Sequence, residues 1–235
     1  MEGETAAHLR RVLRAERGQR FEISDNRSVY LAEIDGFGKD RVSFRVIEKV
    51  DAAEPPLRLV LLSSLIKLDR FEWILEKATE LGVETIVPVQ ASRSEKGLEK
   101  VAAKRLGRWR RIVLESSQQA RRARLPEITA LEPVEQALQR DAACRYVLEE
   151  TPGAAPILAA LPETARRLSS DTAGLLVGPE GGWTEKERAA ARSFGWIPVS
   201  LGPQILRTET AAVAALAVLN SAWCAAPASA HYNAR

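Results

Sequence analysis

Two glycine-rich turns form the pattern in this sequence that is best suited to binding a ligand. Residues 178–182 (GPEGG) follow the short apolar segment 175–177, and residues 202–203 (GP) follow the apolar segment 197–199. A segment with helical character comes after each turn. Because glycine has no side chain, such a turn at a strand end lets main-chain groups approach a ligand closely. The sequence therefore predicts a ligand site built largely from backbone.

The spacing of these glycines argues against two common nucleotide sites. A phosphate-binding P-loop needs Gly-Lys and then Ser or Thr at the helix start, whereas this turn continues as Gly-Gly-Trp-Thr. A dinucleotide-binding turn needs Gly-x-Gly-x-x-Gly near the first strand, and the two turns have another spacing, late in the chain. ATP and NAD are therefore disfavoured. Two His and two Cys lie far apart, so we also expect no metal site.

Hydrophobic periodicity predicts the elements that hold these turns. Thr184 and Glu187 have the Thr-x-x-Glu spacing of a capping box, so a helix is expected to begin there. Earlier, an apolar strand at 57–62, an amphipathic helix at 67–81 and an apolar strand at 84–89 follow one another. This order predicts a parallel sheet with helical crossovers. The remaining predicted elements are a helix at 98–119, strands at 127–129 and 145–148, and helical stretches at 134–140, 157–161 and 164–168.

The first fifty residues have a different character. Strand-like segments at 21–24, 29–34 and 41–47 follow a short helical segment that starts at His8. Three or four strands are enough for a small barrel and too few for a large sandwich. The segment 51–56 ends in a Pro pair and separates this region from the more apolar remainder. We therefore predict a small β domain followed by a larger α/β domain.

Composition limits the class of protein and its location. Hydrophobic residues make up 46% of the chain and charged residues 28%, as in a globular protein with a core. The charged N-terminal segment lacks the apolar centre of a signal peptide. The Ala-rich segment after Thr210 is interrupted at Asn220, short of the ~18 apolar residues of a membrane span. We expect a cytoplasmic protein that does not associate with membranes.

The net charge of +3 conceals two basic regions. Residues 93–124 contain eleven Lys or Arg against three Glu, and residues 8–20 contain five Arg against one Glu. Two basic regions on an otherwise acidic chain suggest a polyanionic partner such as nucleic acid. The alternative is that these residues form only a solvated surface.

Five segments of the sequence resemble one known family. GPEGGWTEKE at 178–187 and SLGPQILRTETAAVAAL at 200–216 are similar to the signature of the SPOUT methyltransferases, and specifically of the RsmE family. The resemblance extends to KLDRFEWILEKATELGV at 67–83, to Arg93-Ser94, and to ESSQQARR at 115–122. It covers nearly the whole chain, with the blocks in the family's order.

The resemblance implies an α/β fold with a mostly parallel sheet and a C-terminal trefoil knot, preceded by a small PUA-like β-barrel domain. The expected domains are residues 1–53, an RNA-binding domain that lacks the family's first strand, and residues 57–228, the methyltransferase domain. The implied activity is S-adenosylmethionine-dependent methylation of N3 of a uridine in the 16S rRNA of the small subunit. The implied partners are that rRNA, within the 30S subunit, and a second copy in a homodimer.

The resemblance, the chemistry of methyl transfer and the basic regions together suggest site residues. Arg207 is expected to orient the uracil or to stabilise negative charge on its oxygens. Glu209, or alternatively Glu180, is expected to accept the N3 proton, although Glu209 would equally suit the first turn of its helix. The expected cofactor-binding residues are Leu176, Val177, Gly178, Gly182, Ser200, Leu201, Gly202, Ile205, Leu206, Thr208 and Thr210. The expected RNA-binding residues are Arg10, Arg11, Arg14, Arg93, Lys100, Lys104, Arg108, Arg111 and Arg122.

Two positions and two other functions are left open by the sequence. Trp183 could stack on the target base or belong to the core, and Gln204 stands where the family more often has Arg. One alternative function is a SPOUT ribose 2′-O-methyltransferase. The other is a non-catalytic ribosome-assembly factor that binds RNA, although both glycine turns are intact.

Overall fold

The computed structural model describes residues 1–52, 55–151 and 153–225. The chain divides into two compact units, Met1–Glu54 and Pro55–Arg235. Residues 53 and 228, which are predicted domain limits, lie outside the described residues, as do two residues of the predicted linker and the Pro that follows Thr151.

The first unit is a small antiparallel sheet with one helix. Its elements are α1 (Gly3–Arg11), β1 (Arg20–Ser24), β2 (Val29–Phe37) and β3 (Val42–Val50). The strands lie in the order β1-β2-β3, and both pairings are antiparallel. Ala6 and Leu9 of α1 pack with Ile34 and Val42 in a separate small core. Met1 pairs through two main-chain hydrogen bonds with Val42.

The second unit alternates strands and helices. Its first half contains β4 (Arg58–Ser64), α2 (Leu68–Glu80), β5 (Thr85–Gln90), α3 (Leu98–Gln119), β6 (Glu127–Ile128), β7 (Glu132–Pro133) and α4 (Val134–Ala137). Its second half contains β8 (Cys144–Leu148), β9 (Ala155–Pro156), α5 (Ile157–Ala160), a 3₁₀ turn (Thr164–Arg166), β10 (Thr172–Val177), α6 (Glu185–Ser193), β11 (Ile197–Ser200) and α7 (Thr208–Cys224).

The strands of this unit form one parallel sheet. Its order in the described residues is β6-β5-β4-β10-β8-β11-β9, with β7 also paired to β5. Each of these pairings is parallel. Because all strands run the same way, the turns that follow β8, β10 and β11 meet at the same edge of the sheet. This edge is where both glycine turns lie.

Helices cover both faces of the sheet, and the strands alternate between two cores accordingly. Leu175 of β10 packs in a core with Phe71 of α2 and Trp109 of α3, whose rings lie 4.9 Å apart. Leu176 points to the opposite face and packs with Trp196 in the second core. Since successive side chains of a strand point to opposite faces, a sheet covered on both sides needs apolar residues at every position.

The structure confirms the predicted α/β class and the parallel sheet. The region predicted to be a small β-barrel is, in the described residues, a three-stranded antiparallel sheet in the order β1-β2-β3. The structure also confirms the capping box, because Thr184 and Glu187 bond reciprocally at the start of α6. The predicted helix at 134–140 ends earlier, at Ala137, where the chain continues in i→i+3 turns and Arg140 pairs with Glu132. The two-residue strands β7 and β9 were not predicted, because two residues show no periodicity. Among the described helices, none combines the length and apolar character needed to cross a bilayer.

Candidate ligand-binding site

The carboxyl ends of β8, β10 and β11 enclose a cavity of about 300 Å³. Both glycine turns line it, together with the residues that follow β8 and the start of α7. The lining residues are Leu148, Glu149, Glu150, Val177, Gly178, Pro179, Glu180, Gly182, Trp183, Val199, Leu201, Gly202, Gln204, Ile205, Leu206, Arg207, Thr208 and Ala211. This volume is at the lower end of the range found for small-molecule sites.

The first glycine turn is shaped by Trp183. Its side chain is 3% exposed, and its Nε1 donates a hydrogen bond to the Leu148 carbonyl at 3.2 Å. A Cβ atom at Gly178 would lie 3.0 Å from the indole ring, so any larger residue there would require the ring or the turn to shift. Gly182 has a φ of +66°, a left-handed conformation that side chains disfavour. Trp183 therefore belongs to the core and supports the cavity wall.

The second turn is open. Gly202 has a φ of +127°, and no atom lies within 4 Å of a Cβ built there. Two large apolar side chains follow at the cavity rim, Ile205 with 80% and Leu206 with 36% of its surface exposed. Arg207 is the exposed N-cap residue of α7. Apolar surface beside free main-chain groups is a combination that suits a flat or partly apolar ligand.

Eight of the eleven residues predicted to bind cofactor line the cavity. They are Val177, Gly178, Gly182, Leu201, Gly202, Ile205, Leu206 and Thr208. Leu176 does not, because strand alternation turns it to the opposite core. The Ser200 hydroxyl donates instead to the Ala154 carbonyl at 3.4 Å. Thr210 is exposed, since helical periodicity brings Thr208 and Ala211 to the cavity and turns Thr210 away.

The sequence reasoning missed the contribution of β8. Leu148, Glu149 and Glu150 form part of the wall because β8 lies between β10 and β11 in the sheet. The only sequence signal was the end of a predicted strand at Leu148 with two Glu after it. Strand order was needed to bring this segment to the site.

Glu149 is a carboxylate of this wall that is held by an arginine. Its side chain is 8% exposed and accepts hydrogen bonds from Arg188 Nε at 2.6 Å and Nη2 at 3.1 Å. Burial opposes ionisation, but the hydrogen bonds from Arg188 and from Thr151 outweigh it and hold the pKa of Glu149 below its ordinary value. Glu150 is exposed, with Oε1 3.4 Å from a Cβ built at Gly182.

The two carboxylates proposed as proton acceptors contact the same arginine. Arg70 of α2 forms ion pairs with Glu180 and with Glu209, the latter at 3.7 Å between Nε and Oε1. Glu180 lines the cavity and is half exposed, whereas Glu209 is 13% exposed and is absent from the lining. Within the described part of the chain, Glu209 Oε2 is buried without a hydrogen-bond partner. Arg70 was not among the predicted site residues.

Several arginines predicted to bind RNA have partners within the protein. Arg10 donates to the Gly38 and Lys39 carbonyls and lies over the Phe37 ring. Arg93 donates to carbonyls of the first glycine turn. Arg108 pairs with Glu72, and Arg111 pairs with Glu115. Four of the predicted residues have exposed side chains that form no ion pair within the described residues: Arg11, Arg14, Lys100 and Lys104.

Arg122 has a structural role. Its guanidinium donates to the carbonyls of Thr79 at 2.9 Å and Val83 at 2.7 Å, and more weakly to Gly82. These carbonyls belong to the C-terminal end of α2 and the turn after it, where the helix leaves acceptors unpaired. Partial burial lowers the pKa of Arg122 from its ordinary value. The Arg122 guanidinium therefore stabilises the C-terminal end of α2.

Glu187 connects the first turn to the loop after β5. It is 4% exposed, and it accepts hydrogen bonds from the Ser92 N–H, the Thr184 N–H and the Thr184 hydroxyl, each within 2.8 Å. Burial raises the pKa of this carboxyl, but the hydrogen bonds from Ser92 and Thr184 outweigh it, so the pKa lies below the ordinary 4.5. Glu187 thus fixes the start of α6 through hydrogen bonds from Thr184 and from the loop that contains Ser92.

Comparison with known proteins gives a consistent result. Residues 53–220 match the model of the RNA methyltransferase domain family. The chain is 33% identical over 225 residues to ribosomal RNA small subunit methyltransferase E of Bacillus subtilis, covering 93% of this chain and 88% of that protein.

Two solved structures bound to S-adenosyl methionine are also similar. Ribosomal RNA small subunit methyltransferase E of Neisseria gonorrhoeae superposes with a TM-score of 0.83 at 30% identity, covering 95% of this chain and 91% of that one. A putative methyltransferase of Legionella pneumophila superposes with a TM-score of 0.80 at 29% identity, covering 93% and 89%.

Replacing Arg122 tests its structural role. Arg122→Ala is expected to lower the free energy of unfolding by about 2 kcal/mol, because it leaves helix-end carbonyls without a charged donor. Arg110→Ala, an exposed position on α3, is the matched control and should change it by less than about 0.5 kcal/mol. Urea denaturation measures both. Equal, small effects would contradict the structural role.

The buried carboxylate of Glu187 predicts a pH dependence. Because its folded-state pKa is lowered, its contribution to stability is present above 4.5 and is lost as the pH falls through the folded-state value. Glu187→Gln should be less stable than the parent at neutral pH and should lose less stability on acidification to about pH 3. Urea denaturation across this range checks it, with exposed Glu135→Gln as control. If the free energy of unfolding of Glu187→Gln depends on pH as that of the parent does, Glu187 is not the source of the pH dependence.

Proposed function

Because the chain belongs to the RsmE family of small-subunit ribosomal RNA methyltransferases, we propose that it methylates N3 of a uridine in 16S rRNA with S-adenosylmethionine (SAM) as methyl donor. The methyltransferase activity, the cofactor and the small-subunit rRNA follow from the family and its SAM-bound members. The single observation that carries the proposal is the cavity between the two glycine turns. The target atom, the residue roles and the assembly are the proposed part.

The residues present fit SAM in three respects. The cavity offers main-chain groups at Gly178, Gly182 and Gly202, where side chains would narrow it. Ile205 and Leu206 provide apolar surface of the kind that an adenine or a methionine chain buries. Of the three carboxylates in the wall, Glu149 and Glu180 pair with Arg188 and Arg70, whereas the exposed Glu150 favours a ligand that carries positive charge. SAM, when bound, supplies a methyl group attached to a positively charged sulfur.

Arg207 is the residue proposed to act on the uracil. It is exposed at the start of α7, lines the cavity, and has no ion pair in the described part of the chain. Its guanidinium is planar and suits the carbonyl oxygens on either side of N3. As N3 loses its proton, negative charge spreads to these oxygens, and Arg207 would stabilise it.

A carboxylate is proposed to accept the N3 proton. Both candidates pair with Arg70, but Glu180 lines the cavity and is half exposed, whereas Glu209 is 13% exposed and is absent from the lining. Access to the ligand therefore supports Glu180 as acceptor and assigns Glu209, together with Arg70, to the support of α7. Since N3 belongs to the Watson–Crick edge, the uridine must be unpaired or flipped out to reach either group.

Binding of rRNA is proposed to involve exposed positive charges of both units. Four exposed side chains face solvent and suit phosphate contacts: Lys100 and Lys104 of α3, Arg11 at the end of α1, and Arg14 after it. The small antiparallel sheet of the first unit is proposed as a PUA-like RNA-binding domain, residues 1–53. We include Arg108 and Arg111 only as secondary contacts, because intramolecular carboxylates already neutralise them.

The proposed assembly and topology follow the family. β8 comes before β10 and β11 in the chain but lies between them in the sheet. This strand order supports the proposal of a trefoil knot in residues 57–228. The intermediate burial of Ala211, Ala214 and Val218 on α7 supports a homodimer through this helix. We place the protein in the cytoplasm with its 30S substrate.

The direct test is incubation with SAM and unmodified 30S subunits, followed by mass spectrometry of the rRNA nucleosides. We expect 3-methyluridine. A ribose 2′-O-methyl nucleoside would show that the methyl group goes to the ribose oxygen and not to N3. If no methyl group is transferred and calorimetry detects no SAM binding, the assignment as an enzyme is wrong.

The cofactor site has a matched pair of variants. Gly182→Leu combines a disfavoured φ with a side chain at the cavity, and we expect SAM affinity to fall roughly 10- to 100-fold. Gly18→Leu carries the same kind of strain, at φ +87° in the first unit, and should bind SAM as the parent does. Calorimetry compares them; equal affinities would contradict the location of the site.

Arg207→Ala tests the proposed charge stabilisation. We expect kcat to fall about 10²- to 10³-fold, because an electrostatic contact to the developing anion is lost. The dissociation constant of SAM should change less than about threefold, and Arg207→Lys should keep part of the rate. Single-turnover methylation of 30S subunits and calorimetry provide both quantities. A loss confined to SAM affinity would make Arg207 a cofactor contact instead.

A further inference from the structure

Arg93 holds the first glycine turn from outside the cavity. It lies in the loop between β5 and α3, and its Nη1 donates hydrogen bonds to the carbonyls of Gly181 at 2.9 Å and Trp183 at 3.3 Å. These two carbonyls flank Gly182, which lines the cavity. A guanidinium that bridges two main-chain carbonyls restricts both peptide planes at once.

The fit between Arg93 and the turn is close. A Cβ built at Gly181 would lie 3.1 Å from Arg93 Cβ and 3.6 Å from its carbonyl oxygen. A side chain at Gly181 would therefore crowd Arg93, against which the backbone of the turn packs. This explains the middle glycine, which the cavity itself does not require, since Gly181 is not among its lining residues.

The loop that carries Arg93 is itself anchored. Ser92 N–H donates to the buried carboxylate of Glu187 at 2.8 Å, and Ser94 is 8% exposed with its hydroxyl 3.3 Å from the Ala91 N–H. Arg93 thus projects from a loop whose neighbours on both sides are held. A donor on a held loop can fix a partner, whereas one on a free loop would move with it.

We propose that Arg93 is a positioning residue for SAM binding, which fixes the turn at residues 178–183 in the conformation that receives the cofactor. This inference rests on the proposed function and replaces the expectation that Arg93 binds rRNA phosphate. A turn held before binding loses less conformational freedom when the ligand arrives, so the ligand binds more tightly. The effect of Arg93 is therefore on the affinity for SAM and requires no RNA.

The first measurement is calorimetry with SAM alone. Arg93→Ala is expected to weaken SAM binding about tenfold in the absence of RNA, and Arg93→Lys to recover part of the affinity. The matched control is Arg110→Ala, an exposed arginine of the same basic region, which should bind SAM as the parent does. In methylation assays, Arg93→Ala should raise KM for SAM and leave kcat at saturating SAM close to that of the parent.

The second measurement needs no cofactor. Hydrogen–deuterium exchange of the free protein should speed up in Arg93→Ala at the amides of residues 180–184 and remain unchanged in β4 and β10. Faster exchange throughout the second unit would overturn a local role, because it would indicate general destabilisation.

The outcomes separate this inference from the proposed function. If the parent binds SAM and Arg93→Ala binds it equally well, with equal exchange in the turn, the inference is wrong and Arg93 is free to contact phosphate. If the parent itself does not bind SAM, the proposed function fails, while the exchange experiment still decides whether Arg93 holds the turn.

Discussion

The parallel alignment of β8, β10 and β11 is the constraint on which the site depends. β8 pairs with both of the other strands, so Leu176 lies beside Val147, and Val147 beside Pro198. With strands about 4.8 Å apart, the ends of β10 and β11 are separated by about 10 Å. The two glycine turns therefore begin on either side of β8, and the end of β8 lines the cavity between them. A cavity follows from strand order before any side chain is considered.

The exposed backbone of that cavity is supported by side chains that do not line it. Glu187 holds the start of α6, and Arg93 holds the carbonyls of the first turn. Trp183 fills the space beneath Gly178, and Arg70 joins Glu180 to α7 through Glu209. Glycine turns lose much conformational entropy on ordering, so a rigid site made from them needs such contacts.

The basic residues of this chain illustrate what charge patterns determine. Eleven Lys or Arg between residues 93 and 124 indicated a polyanionic partner. In the structure, Arg93 and Arg122 donate hydrogen bonds to main-chain carbonyls, and Arg108 pairs with Glu72. Arginine suits such contacts because its planar guanidinium can donate to several acceptors at once. A count of charges therefore does not distinguish an arginine that binds groups of its own chain from one that binds phosphate. Lys100 and Lys104 face solvent, and their contact with rRNA phosphate stays a prediction.

The sequence by itself determined the local features of this protein. Periodicity located most strands and helices, the Thr184–Glu187 spacing located the start of α6, and the glycines located both turns, because each depends on residues close together in the chain. The tertiary structure alone decided which segments meet. Leu148–Glu150 enters the site through strand order, and Arg70 and Arg93 reach the turns from more than eighty residues away in sequence. Local propensity carries no information about such distant neighbours, since they are set by how the whole sheet packs.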